Sequence, residues 1–194
     1  MSNTQSILAF SGSTRSDSLN KKTLAVAVEA AREKGAEVTT VDLRDFPLPL
    51  YDGDLEDADG VPDNAMQLKT LFKANRGLLI ATPEYNTSVS GVLKNAIDWV
   101  TRPVEGEPHL ACFNGKIAGL LSASLGPMGG IRSQAHLRQI LEGIGVIVIP
   151  EHWGVPGATA KSFNEDGSLC DETGQAMVRR VGVSLAGFLG RLTE

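Results

Sequence analysis

The chain has 194 residues, 42% of them hydrophobic and 21% charged, and carries a formal net charge of -5 at pH 7. That length suits one core-forming domain, expected to span residues 1–194, and 18 basic against 23 acidic side chains with no basic run argue against a nucleic-acid partner. No stretch approaches the roughly 20 apolar residues of a membrane span, and the polar start Met1–Gln5 lacks a signal-peptide core, so a cytoplasmic protein without membrane association is expected.

Short aliphatic runs alternate with helical periodicity along the chain, the pattern of stacked βα units. Ser6 to Ser11 predicts the first strand, and it opens into the hydroxyl-rich segment from Ser11 to Asn20 before a helix whose buried stripe is Leu24, Ala27, Val28 and Ala31, with Gly35 as its stop. Short hydroxyls, one glycine and free amides at a helix start suit an anion, and Arg15 adds charged donors. A Ser-rich turn with Ser18 or Asn20 as N-cap reads equally well from these residues alone.

Glu37 to Asp42 predicts the second strand. The long connection from Arg44 to Asp63 follows, and its acidic tract Asp52 to Asp59 reads as solvated surface. Leu68, Leu71 and Phe72 mark a second helix, and Gly77 to Thr82 a third strand. That strand leads into Ala81-Thr82-Pro83-Glu84-Tyr85-Asn86-Thr87-Ser88-Val89-Ser90-Gly91 and a third helix with the stripe Leu93, Ala96, Ile97 and Val100. Two ligand-shaped loops thus leave two strands.

Lys116 to Ala123 predicts the fourth strand, followed by the glycine-rich turn Ser122 to Gly130 and a helix with Leu137, Ile140, Leu141 and Ile144. The glycines of that turn permit close approach to a flat ligand, and they serve a purely steric helix entry just as well. Val146 to Ile149 predicts a fifth strand, Pro150 to Cys170 an irregular connection, and Asp171 the cap of a last helix with Val178, Val181, Leu185 and Phe188. Cys112 and Cys170 stand far apart and the three histidines are scattered, so neither a dithiol centre nor a metal site is expected.

The GSxR-type loop Gly12-Ser13-Thr14-Arg15, the tetrapeptide Pro83-Glu84-Tyr85-Asn86 and the run Leu93-Lys94-Asn95-Ala96-Ile97-Asp98-Trp99 together resemble the NADPH-dependent FMN reductase family. That family includes flavodoxin-like quinone, chromate and azo-dye reductases, and the likeness covers nearly the whole chain. It implies an α/β fold of the flavodoxin-like kind: a doubly wound five-stranded parallel sheet, order 2-1-3-4-5, with helices on both faces. Such a sheet has its ligand crevice at the carboxyl ends of strands one and three, where both loops begin.

The implied cofactor is FMN, with NADPH or NADH as electron donor and a small-molecule electron acceptor. Ser11, Ser13, Arg15, Ser18 and Asn20 are assigned to its phosphate. The resemblance maps Pro83, Glu84, Tyr85 and Asn86 along the flavin ring, with Glu84 as an anchor of its loop rather than a proton donor. Ser122, Ser124 and Gly126 of the glycine-rich turn complete the expected contacts. No catalytic side chain is expected, because hydride passes to flavin N5 and then on, as two electrons, to a quinone, azo compound, chromate or free flavin. Use of one flavin face by both substrates implies ping-pong kinetics. A homodimer or homotetramer is implied as well, and Trp99 is assigned to that interface in preference to packing under the segment 150–170.

A flavodoxin-type electron carrier that does not use nicotinamide directly is the competing reading, although a charge of -5 is modest for such a carrier. A phosphoacceptor switch needs an acid where Thr82-Pro83 stands. A low-molecular-weight phosphatase needs a cysteine in the first loop, which has none.

Overall fold

The computed structural model describes residues 5–191, so the polar start at residues 1–4 and the end at residues 192–194 lie outside the described residues. Strands β1 (Ser6–Ser11), β2 (Glu37–Asp42), β3 (Gly77–Ala81), β4 (Ile117–Ala123) and β5 (Ile147–Val155) form one parallel sheet in the order β2-β1-β3-β4-β5. The helices are α1 (Leu19–Glu33), α2 (Gly53–Asp59), α3 (Asp63–Ala74), α4 (Gly91–Val100), α5 (Ile131–Gly143) and α6 (Glu172–Arg191).

Strand alternation divides the core into two layers. Ile7, Ala9, Leu79 and Ala81 pack with Leu24 and Val28 of α1 and Val181 and Leu185 of α6. Leu8, Phe10, Leu78 and Ile80 face the other way, onto Leu68 of α3, Leu93 and Ile97 of α4, and Leu137 and Leu141 of α5. Both faces of the central strands are therefore buried, which is why those strands read as continuous apolar runs. Each fully buried Leu, Ile or Phe in these layers contributes about 1.5–3 kcal/mol relative to exposure. Asp171 caps α6 as its position suggests, accepting from the amides of Thr173 at 3.2 Å and Gly174 at 2.9 Å.

Three expectations need correction. The fifth strand does not stop at Ile149: pairing with β4 jumps from Ala118↔Val148 to Leu120↔His152, then continues to Ala123↔Val155. Pro150 has no N–H to give the ladder, so a bulge falls there rather than a strand end. The acidic tract is solvated surface as expected, with no buried residue, but it is helical as α2 rather than irregular, because Asp52 caps it by accepting from the Asp54 amide at 2.9 Å and acidic side chains fill the first turn, where the helix dipole favours them. Glu56 then binds the helix to the body by accepting from Arg102 Nε at 2.8 Å and from the Tyr51 hydroxyl at 3.0 Å.

Trp99 is the third. It is fully buried within the chain, and not under the segment 150–170: its indole Nε1 donates to the Pro49 carbonyl at 2.8 Å and its ring meets Tyr51 edge-on at 5.1 Å. The segment 47–51 of the same chain covers this face of α4, and Asn95 Nδ2 secures it with a second bond to the Pro49 carbonyl at 2.8 Å.

Candidate functional site

A cavity of about 390 Å³ opens at the carboxyl ends of β1, β3 and β4, within the size range of small-molecule sites. Four segments line it: Ser13, Arg15 and Asp17–Asn20 after β1, Pro83–Tyr85 after β3, Ala123–Leu125 at the end of β4, and Thr159–Ala160 beyond β5. The two loops singled out in the sequence thus share one cavity.

They are also fastened to each other. Gly12 donates to the Ala81 carbonyl at 2.9 Å and accepts from the Ser90 hydroxyl at 2.5 Å, while that same hydroxyl caps α4 by accepting from Leu93 N at 3.2 Å. A Cβ on residue 12 would lie 3.0 Å from Leu93 Cβ and 3.2 Å from Pro83 Cδ, so a side chain there would push the two segments apart by a few tenths of an ångström.

At the β1–α1 end, Ser11 Oγ accepts from Ser13 N at 3.2 Å, Ser13 Oγ from Arg15 N at 3.4 Å and Ser18 Oγ from Lys21 N at 3.4 Å. These oxygens use lone pairs, so the Ser13 and Ser18 hydroxyl protons remain to be donated into the cavity. The amides of Leu19 and Asn20 begin α1 and have no carbonyl one turn back to bond, which leaves them pointing the same way. Arg15 is largely exposed and pairs with Asp17 at 3.4 Å, and the Arg44 guanidinium fastens the loop through the Thr14 carbonyl. The result is a concentration of donors around one end of the cavity, with Asp17 as its single opposing charge.

Asn20 has a different task. Its side chain is buried and fully engaged with the last residue of β4, donating to the Ala123 carbonyl at 3.0 Å and accepting from the Ala123 amide at 2.8 Å. It therefore braces α1 against the third loop, which leaves its backbone amide, in the first turn of α1, as its group available to a ligand.

Glu84 lines the cavity, but its carboxylate is turned to α5. Gly130 sits at the N-cap of α5 without a side chain to cap it. Glu84 supplies that function from another loop, accepting from the amides of Arg132 at 3.1 Å and Ser133 at 3.4 Å, from Arg132 Nε at 2.8 Å and from Arg132 Nη2. Burial opposes ionisation of this carboxyl, yet the Arg132 guanidinium and the two amides outweigh it and hold its pKa below the usual carboxylate value. Tyr85, half exposed, stands beside it at the mouth of the cavity.

The remaining assigned residues lie outside the lining. Ser11 supports the turn from the end of β1. Asn86 is at the exposed tip of the second loop. Ser122 is fully buried beneath the third, donating to the Gly129 carbonyl at 2.6 Å and accepting from Gln134 Nε2 at 2.5 Å. Gly126 donates to Ser124 Oγ at 3.1 Å, and Leu125, not Gly126, borders the cavity. The Gly129–Gly130 pair answers to strand packing: at φ 86 a Cβ on Gly130 would be 2.9 Å from Ser122 Cβ. Thr159 and Ala160 went unforeseen, although the capping box between Thr159 and Ser162 is a local signal for the short turn that carries them.

A sequence model of the family described as NADPH-dependent FMN reductase matches residues 6–160. The chain is 36% identical over 180 residues to an NAD(P)H-dependent FMN reductase of Pseudomonas aeruginosa, covering 93% of this chain and 92% of that one. It is likewise 36% identical to a quinone reductase of Escherichia coli over 163 residues, 79% of each. Among solved structures, FerB, a flavoenzyme NAD(P)H:(acceptor) oxidoreductase of Paracoccus denitrificans, superimposes with a TM-score of 0.80 at 30% identity, covering 96% of this chain and 98% of that one.

Proposed function

The chain belongs to the NADPH-dependent FMN reductase family, and from that premise we propose that the cavity at the strand ends is where this NAD(P)H-dependent oxidoreductase holds FMN, phosphate toward β1–α1 and ring along Pro83–Tyr85. The observation that carries the reading is the convergence of donors at one end of the cavity: the Leu19 and Asn20 amides, the Ser13 and Ser18 hydroxyls and the Arg15 guanidinium. Such a set suits a phosphate ester, since each charge-assisted bond contributes about 1.5–3 kcal/mol and the α1 dipole adds to it.

FMN held there would supply two-electron redox chemistry between NADPH or NADH and a small-molecule acceptor such as a quinone. The chain's own residues bind and orient. Pro83 and Tyr85 give the ring an apolar flank, and Glu84 holds that flank by its bonds to α5 rather than by donating a proton. With its carboxyl kept ionised by Arg132, Glu84 makes a poor general acid near neutral pH. Leu125 and Tyr85 limit water at the rim, and both are exposed in the single chain. With Met128 and Ile131, also exposed, they form an apolar collar that favours coverage by a second copy, in a homodimer or a dimer of dimers.

The test is to mix purified protein, FMN and NADPH or NADH without oxygen and follow flavin absorbance. Prompt bleaching, restored by a quinone, is the expected result. A flavin that binds but does not bleach with either nicotinamide would make the protein an electron carrier instead.

A further inference from the structure

Arg132 and His136 are four residues apart on α5, so their side chains project from one face of the helix a single turn apart. Both reach the loop after β3. Arg132 grips Glu84 through its guanidinium and its amide, and His136 Nδ1 shares a hydrogen bond with Ser88 Oγ at 3.0 Å. Glu84 immediately precedes the turn Tyr85–Ser88, and Ser88 is its last residue.

That turn has few means of keeping its shape. Its own bonds are Tyr85 N to the Ser88 carbonyl at 3.0 Å and Ser88 N to the Tyr85 carbonyl at 3.1 Å. Its two central residues, Asn86 at φ 49 and Thr87 at φ 68, are both left-handed without being glycine. For a β-branched residue such as Thr87 that conformation is strained, and strain of this kind persists only where the surroundings hold it. Neither Asn86 nor Thr87 is buried within this chain, so packing inside the chain does not hold it. Its two main-chain bonds and the two contacts from α5 do.

We infer that Arg132 and His136 act together as a two-point clamp on the turn 85–88, making His136 a positioning residue that fixes Tyr85 at the cavity mouth where the nicotinamide and the acceptor must approach. The inference rests on the reading of the cavity as the flavin site. His136 does not line the cavity and its hydrogen bond is to Ser88, which does not line it either, so it governs how substrates meet the flavin and not whether flavin binds.

The test compares wild type with His136→Leu, His136→Gln and Ser88→Ala, and each variant with the double variant His136→Leu/Ser88→Ala. Hydrogen exchange of the peptide covering residues 84–89 is measured first on protein without flavin. Loss of one partly exposed hydrogen bond should speed exchange about three- to tenfold in His136→Leu and Ser88→Ala, with no further gain in the double variant and recovery in His136→Gln. With FMN bound, KM for NAD(P)H and for a quinone should rise about threefold or more in His136→Leu while the Kd for FMN stays within about twofold of wild type. Unchanged exchange in both single variants, additive effects in the double variant, or no recovery with His136→Gln overturns the clamp. If wild type itself fails to quench FMN fluorescence, it is the flavin reading that fails, while the exchange experiment still decides the clamp.

Discussion

Asn20→Ala separates a brace from a ligand. The side chain is buried and satisfies both the amide and the carbonyl of Ala123, at 2.8 and 3.0 Å. Truncation leaves two main-chain groups at the end of β4 without partners, each costing about 1–3 kcal/mol when buried. Because Ala123 borders the cavity, water can reach part of this gap, which brings the combined loss to about 2–3 kcal/mol. For a chain of this size that corresponds to a fall in Tm of about 4–12 °C, measured by circular dichroism on protein freed of flavin. Asn20→Asp should fall too, since a carboxylate accepts from the Ala123 amide but cannot donate to its carbonyl, and it sets a negative charge beside the donor-rich end. FMN affinity drops in both as a consequence of the loosened loop. An unaltered Tm in flavin-free Asn20→Ala, together with a weakened Kd for FMN, would refute the brace and make the side chain a direct phosphate ligand.

Arg15→Ala should raise the Kd for FMN about tenfold at low salt, with the difference shrinking as ionic strength rises, because the guanidinium is exposed and screened; fluorescence titrations at two salt concentrations check this. Glu84→Gln should lower Tm at neutral pH by the equivalent of about 1–2 kcal/mol, a figure reduced for the exposure of Arg132. The carboxyl's folded pKa lies below its ordinary 4.5, so its contribution is complete above that value and is lost as pH falls through the lowered one. The gap between wild type and Glu84→Gln should therefore be constant at neutral pH and close in acid, and a gap that persists there would contradict the ion-pair account. Steady-state velocities at several acceptor concentrations should give parallel reciprocal lines, as a shared flavin face requires, and intersecting lines would exclude one.

The sheet was legible because its strands are bounded by chemistry that acts locally: apolar runs broken by Gly35, Gly77 and the hydroxyl loop, and helix stripes at the spacing of one face. The site was legible where loops leave strands, since position after a strand end already puts Ser13, Ser18 and Pro83–Tyr85 around one crevice. What escaped depends on partners distant in sequence. Asn20 and Ser122 carry the polar side chains that a ligand site uses, yet each is engaged by main chain brought to it by the fold, at Ala123 and at Gly129. Trp99 reads as an interface residue until the segment 47–51 is seen to cover it. Pro150 reads as a strand end because a bulge cannot be told from a terminus without the neighbouring strand.

The proposal that the β1–α1 end of the cavity takes the phosphate is tested most directly by titrating flavin-free protein with FMN and with riboflavin, which differ only in the phosphate, and following flavin fluorescence. The donors of the β1–α1 loop predict that FMN binds at least about tenfold more tightly at low salt, and that Arg15→Ala narrows this gap while leaving riboflavin affinity where it was. Equal affinities for the two flavins would contradict the assignment.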